Sequence, residues 1–296
     1  MEGLRGIIPI VVTTFREDGS LDLESQRRLI RHLLTQNVQG LALFGNASEG
    51  YALTNSEREE LLALTLKEVQ GSVPVIAGTG HNGTHAAVEL SRAAEKAGAD
   101  ALMVLPPFYV KPDGQGIYDY FAAISKAVNL PIMVQDAPLM TQVPMPAALL
   151  ARMSNELEHV RYVKVEAPPT APKITELLQQ AKGKITLFGG LNGNFLIEEL
   201  DRGAVGTMPG SDLCAPFQRV WNAYQSGDRA AARKEFQKLL PLIRYELQPG
   251  LGVSVMKLNL KARGIIDCAA VRPPTKAVDS IGVKEVEELR EELNLA

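Results

Sequence analysis

The stretch Val160-Arg161-Tyr162-Val163-Lys164-Val165-Glu166 sets a lysine and a glutamate two residues apart inside a run that otherwise reads as a strand. Strand side chains alternate between faces, so Lys164 and Glu166 share one. If that face lines a barrel interior, the ammonium is taken out of water and the amine becomes a nucleophile toward a carbonyl, which opens Schiff-base chemistry. A lysine that points outward past a helix, or that simply pairs with Glu166, fits the same spacing, and buried lysines are rare. Three further places carry polar or permissive residues. Gly45-Asn46-Ala47-Ser48-Glu49-Gly50 offers small residues whose amides and hydroxyl can cradle a carboxylate, or an ordinary strand-to-helix turn. Gln135-Asp136-Ala137-Pro138 turns abruptly polar after Ile132-Met133-Val134. Phe188-Gly189-Gly190-Leu191-Asn192 and Gly206-Thr207-Met208-Pro209-Gly210 hold glycines that either admit a ligand close to the backbone or form turns. No P-loop, nucleophile elbow, HExxH or CxxC is present, and the glycine runs lack the dinucleotide fingerprint in its required context, so no nucleotide, metal or flavin is expected.

The elements that must position these residues are legible as alternation. Short aliphatic runs begin near residues 7, 40, 73, 101, 132, 160, 185 and 204, apolar at consecutive positions as strands buried on both faces are. Helical patterns lie between them. Thr54-Asn55-Ser56-Glu57 has capping-box spacing ahead of Leu61, Leu62 and Val69, and Ala86, Leu90, Ala93 and Ala97 form one stripe that Gly98 ends. Eight regular strand-helix units predict an α/β fold, a (β/α)8 TIM barrel over residues 1–210, with a doubly wound sheet as the alternative. Barrel active sites lie at the C-terminal ends of the strands, where the polar positions above fall. Helical patterns at 213–226, 228–245, 252–263 and 283–292 predict a C-terminal helical appendage over residues 211–296, packed on the barrel with no linker.

Composition narrows the function classes. The chain has 296 residues, 46% of them apolar and 22% charged, which excludes disorder as the main state. A net charge of −3 supplies no basic field for a nucleic-acid backbone. Two cysteines and four histidines build neither a disulfide framework nor an evident zinc site, and a reducing cytoplasm is the default. The early apolar run Ile7 to Val12 is too short for a membrane span and lacks signal-peptide features.

Taken in order, the segments resemble the dihydrodipicolinate synthase and N-acetylneuraminate lyase family, class I Schiff-base barrels that act on pyruvate or 2-oxo acids. The residues that carry the resemblance are Val12-Thr13-Thr14-Phe15-Arg16-Glu17-Asp18-Gly19-Ser20, Ala77-Gly78-Thr79-Gly80, Pro106-Pro107-Phe108-Tyr109-Val110-Lys111-Pro112, Val163-Lys164 and Leu239-Leu240-Pro241-Leu242. The resemblance implies a covalent Schiff base on Lys164, no external cofactor, a small 2-oxo acid as partner, and a homotetramer built as a dimer of dimers. In the family pattern a GTTGE-like loop presents two hydroxyl residues, where this chain has Asn46 and Ala47. The strand-five tyrosine that passes protons is Gln135 here, and an amide cannot do that work at ordinary pH. Tyr109 matches the second tyrosine of a paired-tyrosine loop that reaches a neighbouring subunit's site in tetrameric members, and Phe108 replaces the first.

Gln135, Glu166 and the Gly45–Gly50 loop together look like the branch that dehydrates 2-keto-3-deoxy sugar acids such as L-2-keto-3-deoxyarabonate. That resemblance implies Glu166 as the general acid/base at C3, carboxylate binding by the amides of Ala47 and Ser48 and the Ser48 hydroxyl, and Gln135 orienting a substrate oxygen. Asn46, Thr13, Gly189 and Met208 would complete the pocket wall. A retro-aldol lyase shares the Schiff base but must deprotonate the C4 hydroxyl, the task of the missing tyrosine. A catalytically silent 2-oxo acid binder would explain the lost relay, yet it leaves a buried lysine that costs stability without use.

Overall fold

A computed structural model describes residues 3–294. Its strands are β1 (Gly6–Ile7), β2 (Leu41–Leu43), β3 (Val75–Gly78), β4 (Ala101–Val104), β5 (Ile132–Asp136), β6 (Val160–Val165), β7 (Thr186–Gly189) and β8 (Gly206–Thr207). Between them run α1 (Leu23–Thr35), α2 (Asn55–Val69), α3 (Thr84–Ala97), α4 (Gly114–Ala127), α5 (Pro138–Thr141), α6 (Ala147–Glu156), α7 (Thr170–Gln180) and α8 (Leu196–Asp201). The C-terminal helices are α9 (Cys214–Gln225), α10 (Arg229–Glu246), α11 (Gly252–Ala262) and α12 (Ser280–Glu292). The sheet has the order β1-β8-β7-β6-β5-β4-β3-β2, with parallel pairing throughout β3 to β8. That order never reverses, so the switch point of a doubly wound sheet is absent. Ile10 bridges both Ala42, in β2, and Gly210, just past β8, which ties the last strand's exit to the second strand. The fold is a (β/α)8 barrel with a C-terminal helical part, as the alternation predicts.

Chain contacts divide the molecule into two compact units. One comprises Pro74–Leu191, Phe195–Met208 and the N-terminal residues through Arg5, and holds β3 to β8. Its strands are buried along both faces, apart from exposed Arg161 and half-buried Thr186, which is why they read as continuous apolar runs. Between Ile132 and Met133 the β5–β6 register shifts: Ile132 faces Val160 but Met133 faces Tyr162. The extra residue in β6 carries Lys164 opposite Gln135 and Val165 opposite Asp136. Gly98 ends α3 in the left-handed conformation, as its position predicts, but the buried face is Ala87, Ser91 and Ala94 rather than the expected stripe of Ala86, Leu90, Ala93 and Ala97. Alanine is tolerated on either side of a helix, so it marks a face weakly. Ser91 is accommodated inside because its hydroxyl bonds the Ala87 carbonyl and the Thr79 hydroxyl.

The other unit comprises Gly6–Val73, Asn192–Asn194 and the chain from Pro209 onward. Thr54 and Glu57 form the predicted capping box of α2, whose Leu61, Leu62 and Val69 are buried. The loop after β2 bends sharply: Phe44 and Glu49 have positive φ, and at Gly50 any Cβ would run into the Phe44 backbone. Its anchor is Glu49, fully buried and ion-paired with fully buried Lys257 on α11. Lys257 also donates to the Ala270 carbonyl, and the Arg272 amide donates to Glu49. Both cations lie over the Phe15 ring, 4.4 and 4.3 Å from its centroid. Burial pulls the Lys257 pKa below the ordinary lysine value, and Glu49 opposes the shift. The C-terminal region therefore holds the loop after β2 from 208 residues away.

Candidate active site

Lys164 is the penultimate residue of β6, with its side chain buried, 4% exposed. Its Nζ lies 3.2 Å from Glu166 Oε1, and Glu166 is 8% exposed. Glu166 follows the end of β6, where its amide extends the ladder by donating to the Asp136 carbonyl at 2.9 Å. Gln135, buried on β5 directly opposite Lys164, donates from Nε2 to Glu166 Oε2 at 2.8 Å. The Leu191 amide donates to Glu166 Oε1 at 3.1 Å. The carboxylate is thus gripped on both oxygens, with an amine against one of them. This is the arrangement a proton-transfer group needs when the amine becomes an iminium and the reacting carbon lies next to it.

The glycines after β7 make room for protein rather than leaving open space. A Cβ at Gly190 would stand 2.6 Å from the Glu166 carboxyl carbon, and one at Gly189 would stand 2.8 Å from that of Glu199. Glu199, on α8, is fully buried, and burial pushes its carboxyl up to about 7, with the Thr170 hydroxyl pulling down and the Glu166 charge adding to the rise. Asp136, at the end of β5, is buried as well; desolvation raises its pKa against the Lys173 ammonium, 2.6 Å from Oδ2. Met208, past β8, is buried and donates its amide to the Gly189 carbonyl at 3.2 Å.

The residues expected to hold the substrate carboxylate lie in the other unit and form their own group. Thr13 Oγ1 donates to the Ser48 carbonyl at 2.6 Å, and both residues are buried. The Ser48 amide is spent on the Gly45 carbonyl at 3.1 Å, so it is not a free donor as the sequence reading expected. The loop closes on itself into a tight turn, which consumes that amide. The Ser48 hydroxyl is buried with no hydrogen-bond partner, a donor in want of an acceptor. Ala47 is buried beside it and Asn46 is exposed. Tyr109 is 86% exposed, on a loop after β4 whose Phe108 and Tyr109 amides both donate to Asn82 Oδ1.

Comparison with known proteins bears directly on this geometry. The model of the dihydrodipicolinate synthetase family matches residues 3–293. The chain belongs to the dihydrodipicolinate synthetase family. The chain is 35% identical over 275 residues to L-2-keto-3-deoxyarabonate dehydratase of Azospirillum brasilense, covering 91% of this chain and 88% of that protein. It is 34% identical over 283 residues to 4-hydroxy-tetrahydrodipicolinate synthase of Corynebacterium urealyticum, covering 94% and 91%. A solved monomeric dihydrodipicolinate synthase variant superimposes with a TM-score of 0.91 at 30% identity, covering 99% and 97% of the two chains. Members of the family are lyases that work through a lysine Schiff base without an external cofactor, and this chain is a lyase among them. Among the described residues no helix is long and apolar enough to cross a membrane.

Sequence reasoning missed Glu199, Lys173 and the Glu49–Lys257 pair. Glu199 had a signal: in Leu196-Ile197-Glu198-Glu199-Leu200 it stands three residues after Leu196, on the face that Leu196 and Leu200 bury. Its neighbour Glu198 makes the pair read as solvated surface charge.

Proposed function

We propose that this enzyme dehydrates a 2-keto-3-deoxy sugar acid such as L-2-keto-3-deoxyarabonate. The observation that carries the reading is the pairing of Lys164 with Glu166 across from an amide, Gln135, so that the titratable group held against the amine is a single carboxylate. The Lys164 amine adds to the C2 carbonyl and water leaves, forming an iminium that serves as electron sink. Glu166 takes a proton from C3, and the C–H electron pair becomes the enamine. The enamine expels the C4 hydroxyl, which leaves as water with the proton that Glu166 returns. Tautomerisation and hydrolysis release 2-oxoglutarate semialdehyde and the free lysine. No external cofactor enters.

Gln135 holds Glu166 before substrate arrives and is in reach of a substrate oxygen afterwards. The Ser48 hydroxyl, with Ala47 and Thr13 beside it, supplies the carboxylate site. The 35% identity to a dehydratase supports the substrate class; relatives named as synthases are nearly as similar, so the product decides. Incubation with a panel of 2-keto-3-deoxy pentonates and hexonates, read by mass spectrometry, is expected to give loss of one water to a semialdehyde. Pyruvate plus an aldehyde would make the enzyme an aldolase, and a lack of turnover with intact borohydride trapping would make it a binder.

The apolar side chains of Phe108, Tyr109, Val110, Leu139 and Met140 are exposed together in the segments after β4 and β5, which supports assembly into a homotetramer in which Tyr109 is covered. Light scattering tests this, and a monomer would refute it. Two unpaired cysteines suit a reducing cytoplasm.

A further inference from the structure

Two successive glycines after β7 each face a carboxyl group: Gly190 lies against Glu166, and Gly189 against Glu199. Glu199 is fully buried on α8, and among the described residues no cation faces it. The charged groups that act on it are Glu166 and its own neighbour Glu198, both negative, and the polar group beside it is the Thr170 hydroxyl at the start of α7. Neither of its oxygens receives a hydrogen bond of ordinary geometry, and the Thr170 hydroxyl is likewise without one. A carboxyl placed this way costs stability when ionised, and among the groups that act on it only the Thr170 hydroxyl offsets any of the cost. A hydrophobic residue would fill the place at no such cost. What the position does offer is a second ionisable group that feels the charge of Glu166 through a dry interior, where like charges couple strongly.

We propose that Glu199 is a positioning residue that sets the proton affinity of Glu166 from behind β7. The proposal rests on Glu166 being the base at C3, as argued above. Glu166 is faced by the Lys164 amine at 3.2 Å on its own strand and by buried Asp136 on β5, whose charge the Lys173 ammonium offsets; with these fixed, Glu166 is the weaker base when Glu199 is neutral. When Glu199 loses its proton, repulsion raises the proton affinity of Glu166, and proton removal from C3 quickens. Because burial pushes the Glu199 carboxyl up to about 7, that change falls in the neutral range.

The test uses a reaction that does not depend on the sugar acid. Pyruvate bound as an iminium on Lys164 loses a methyl proton to Glu166, the C–H pair moves into the enamine C2=C3 bond, and in deuterated water a deuteron returns to C3. The rate of deuterium incorporation, followed by proton NMR from pH 5.5 to 8.5, is expected to show a rise near neutral pH in the wild type. Glu199→Gln is expected to lack that rise, so that the ratio of wild-type to variant rates grows at least threefold across the range. Thr170→Val, which removes the hydroxyl favouring the ionised form, is expected to move the rise to higher pH and serves if Glu199→Gln folds poorly. A ratio constant with pH in Glu199→Gln, or an unmoved rise in Thr170→Val, would overturn the proposal and leave the proposed function standing. Exchange that survives Glu166→Gln, or that is absent in the wild type while borohydride trapping persists, would remove Glu166 as the base, and both readings would fall together.

Discussion

Replacing Gly190 with alanine perturbs Glu166 without touching its chemistry. Gly190 does not have positive φ, so alanine is acceptable to the backbone and the effect is steric. The added methyl would stand 2.6 Å from the Glu166 carboxyl carbon and 2.7 Å from Oε1, where ordinary contact begins at 3.4 Å. The Glu166 Cγ would be nearer still, so the side chain must retreat by roughly 1 Å, enough to stretch the 3.2 Å approach to Lys164 and the 2.8 Å bond from Gln135 beyond normal hydrogen-bond length. Misplacing a catalytic group by about 1 Å costs on the order of 10²-fold in rate, or about 2.7 kcal/mol of barrier. Pyruvate exchange and sugar-acid dehydration should both slow by that factor, while borohydride trapping at Lys164 remains. Overpacking of this kind also costs about 1–3 kcal/mol of stability, so the melting temperature should fall by several degrees. A variant that folds, melts lower and still works within threefold of wild type would refute the claim that Glu166 acts from the position observed.

Glu166→Gln should leave trapping intact and slow dehydration by about 10²-fold or more, the scale of a general acid/base, as measured by steady-state turnover. Lys164→Ala should abolish trapping, and adducts that persist on mass spectra would assign the Schiff base to another lysine. Lys257→Met strands the buried Glu49 charge and should cost about 3–5 kcal/mol in urea unfolding, much of it recovered when Glu49→Gln is added; a loss under 1 kcal/mol would mean that the pair does not anchor the loop after β2. The pH dependence of stability should carry the mark of Glu199. Its proton is held more tightly in the folded state, so the fold is favoured most below the usual 4.5 and loses up to about 3 kcal/mol as pH rises through about 7. The stability advantage of Glu199→Gln over wild type should accordingly grow between pH 5 and pH 8, and an advantage independent of pH would refute the buried acid.

Much of the scaffold was legible because it rests on local patterning. Strands buried on both faces are apolar on consecutive positions through most of their length, so Ile132-Met133-Val134 and Ala101-Leu102-Met103-Val104 announce themselves, and Thr54 with Glu57 marks the start of α2. Lys164 and Glu166 were visible for the same reason, as two polar residues one strand period apart in an apolar run. The buried face of α3 was misread because alanine carries little preference for either side, while Ser91 is buried by satisfying its own hydroxyl. The free Ser48 amide failed as an expectation because a tight loop uses its own donors.

The sequence by itself determined the repeated strand-helix unit, the C-terminal helices and the placing of Lys164 and Glu166 one strand period apart, since these depend on residue type and period. The tertiary structure alone decided which neighbours they meet. The register shift after Ile132 carries Gln135 opposite Lys164; a ladder without it would set Val163 there. Helix α8 packing brings Glu199 behind Gly189, and Lys257 reaches Glu49 across 208 residues. Such contacts are absent from local pattern because a buried charge owes its state to desolvation and to partners brought from elsewhere in the chain, and neither exists until the fold closes around it.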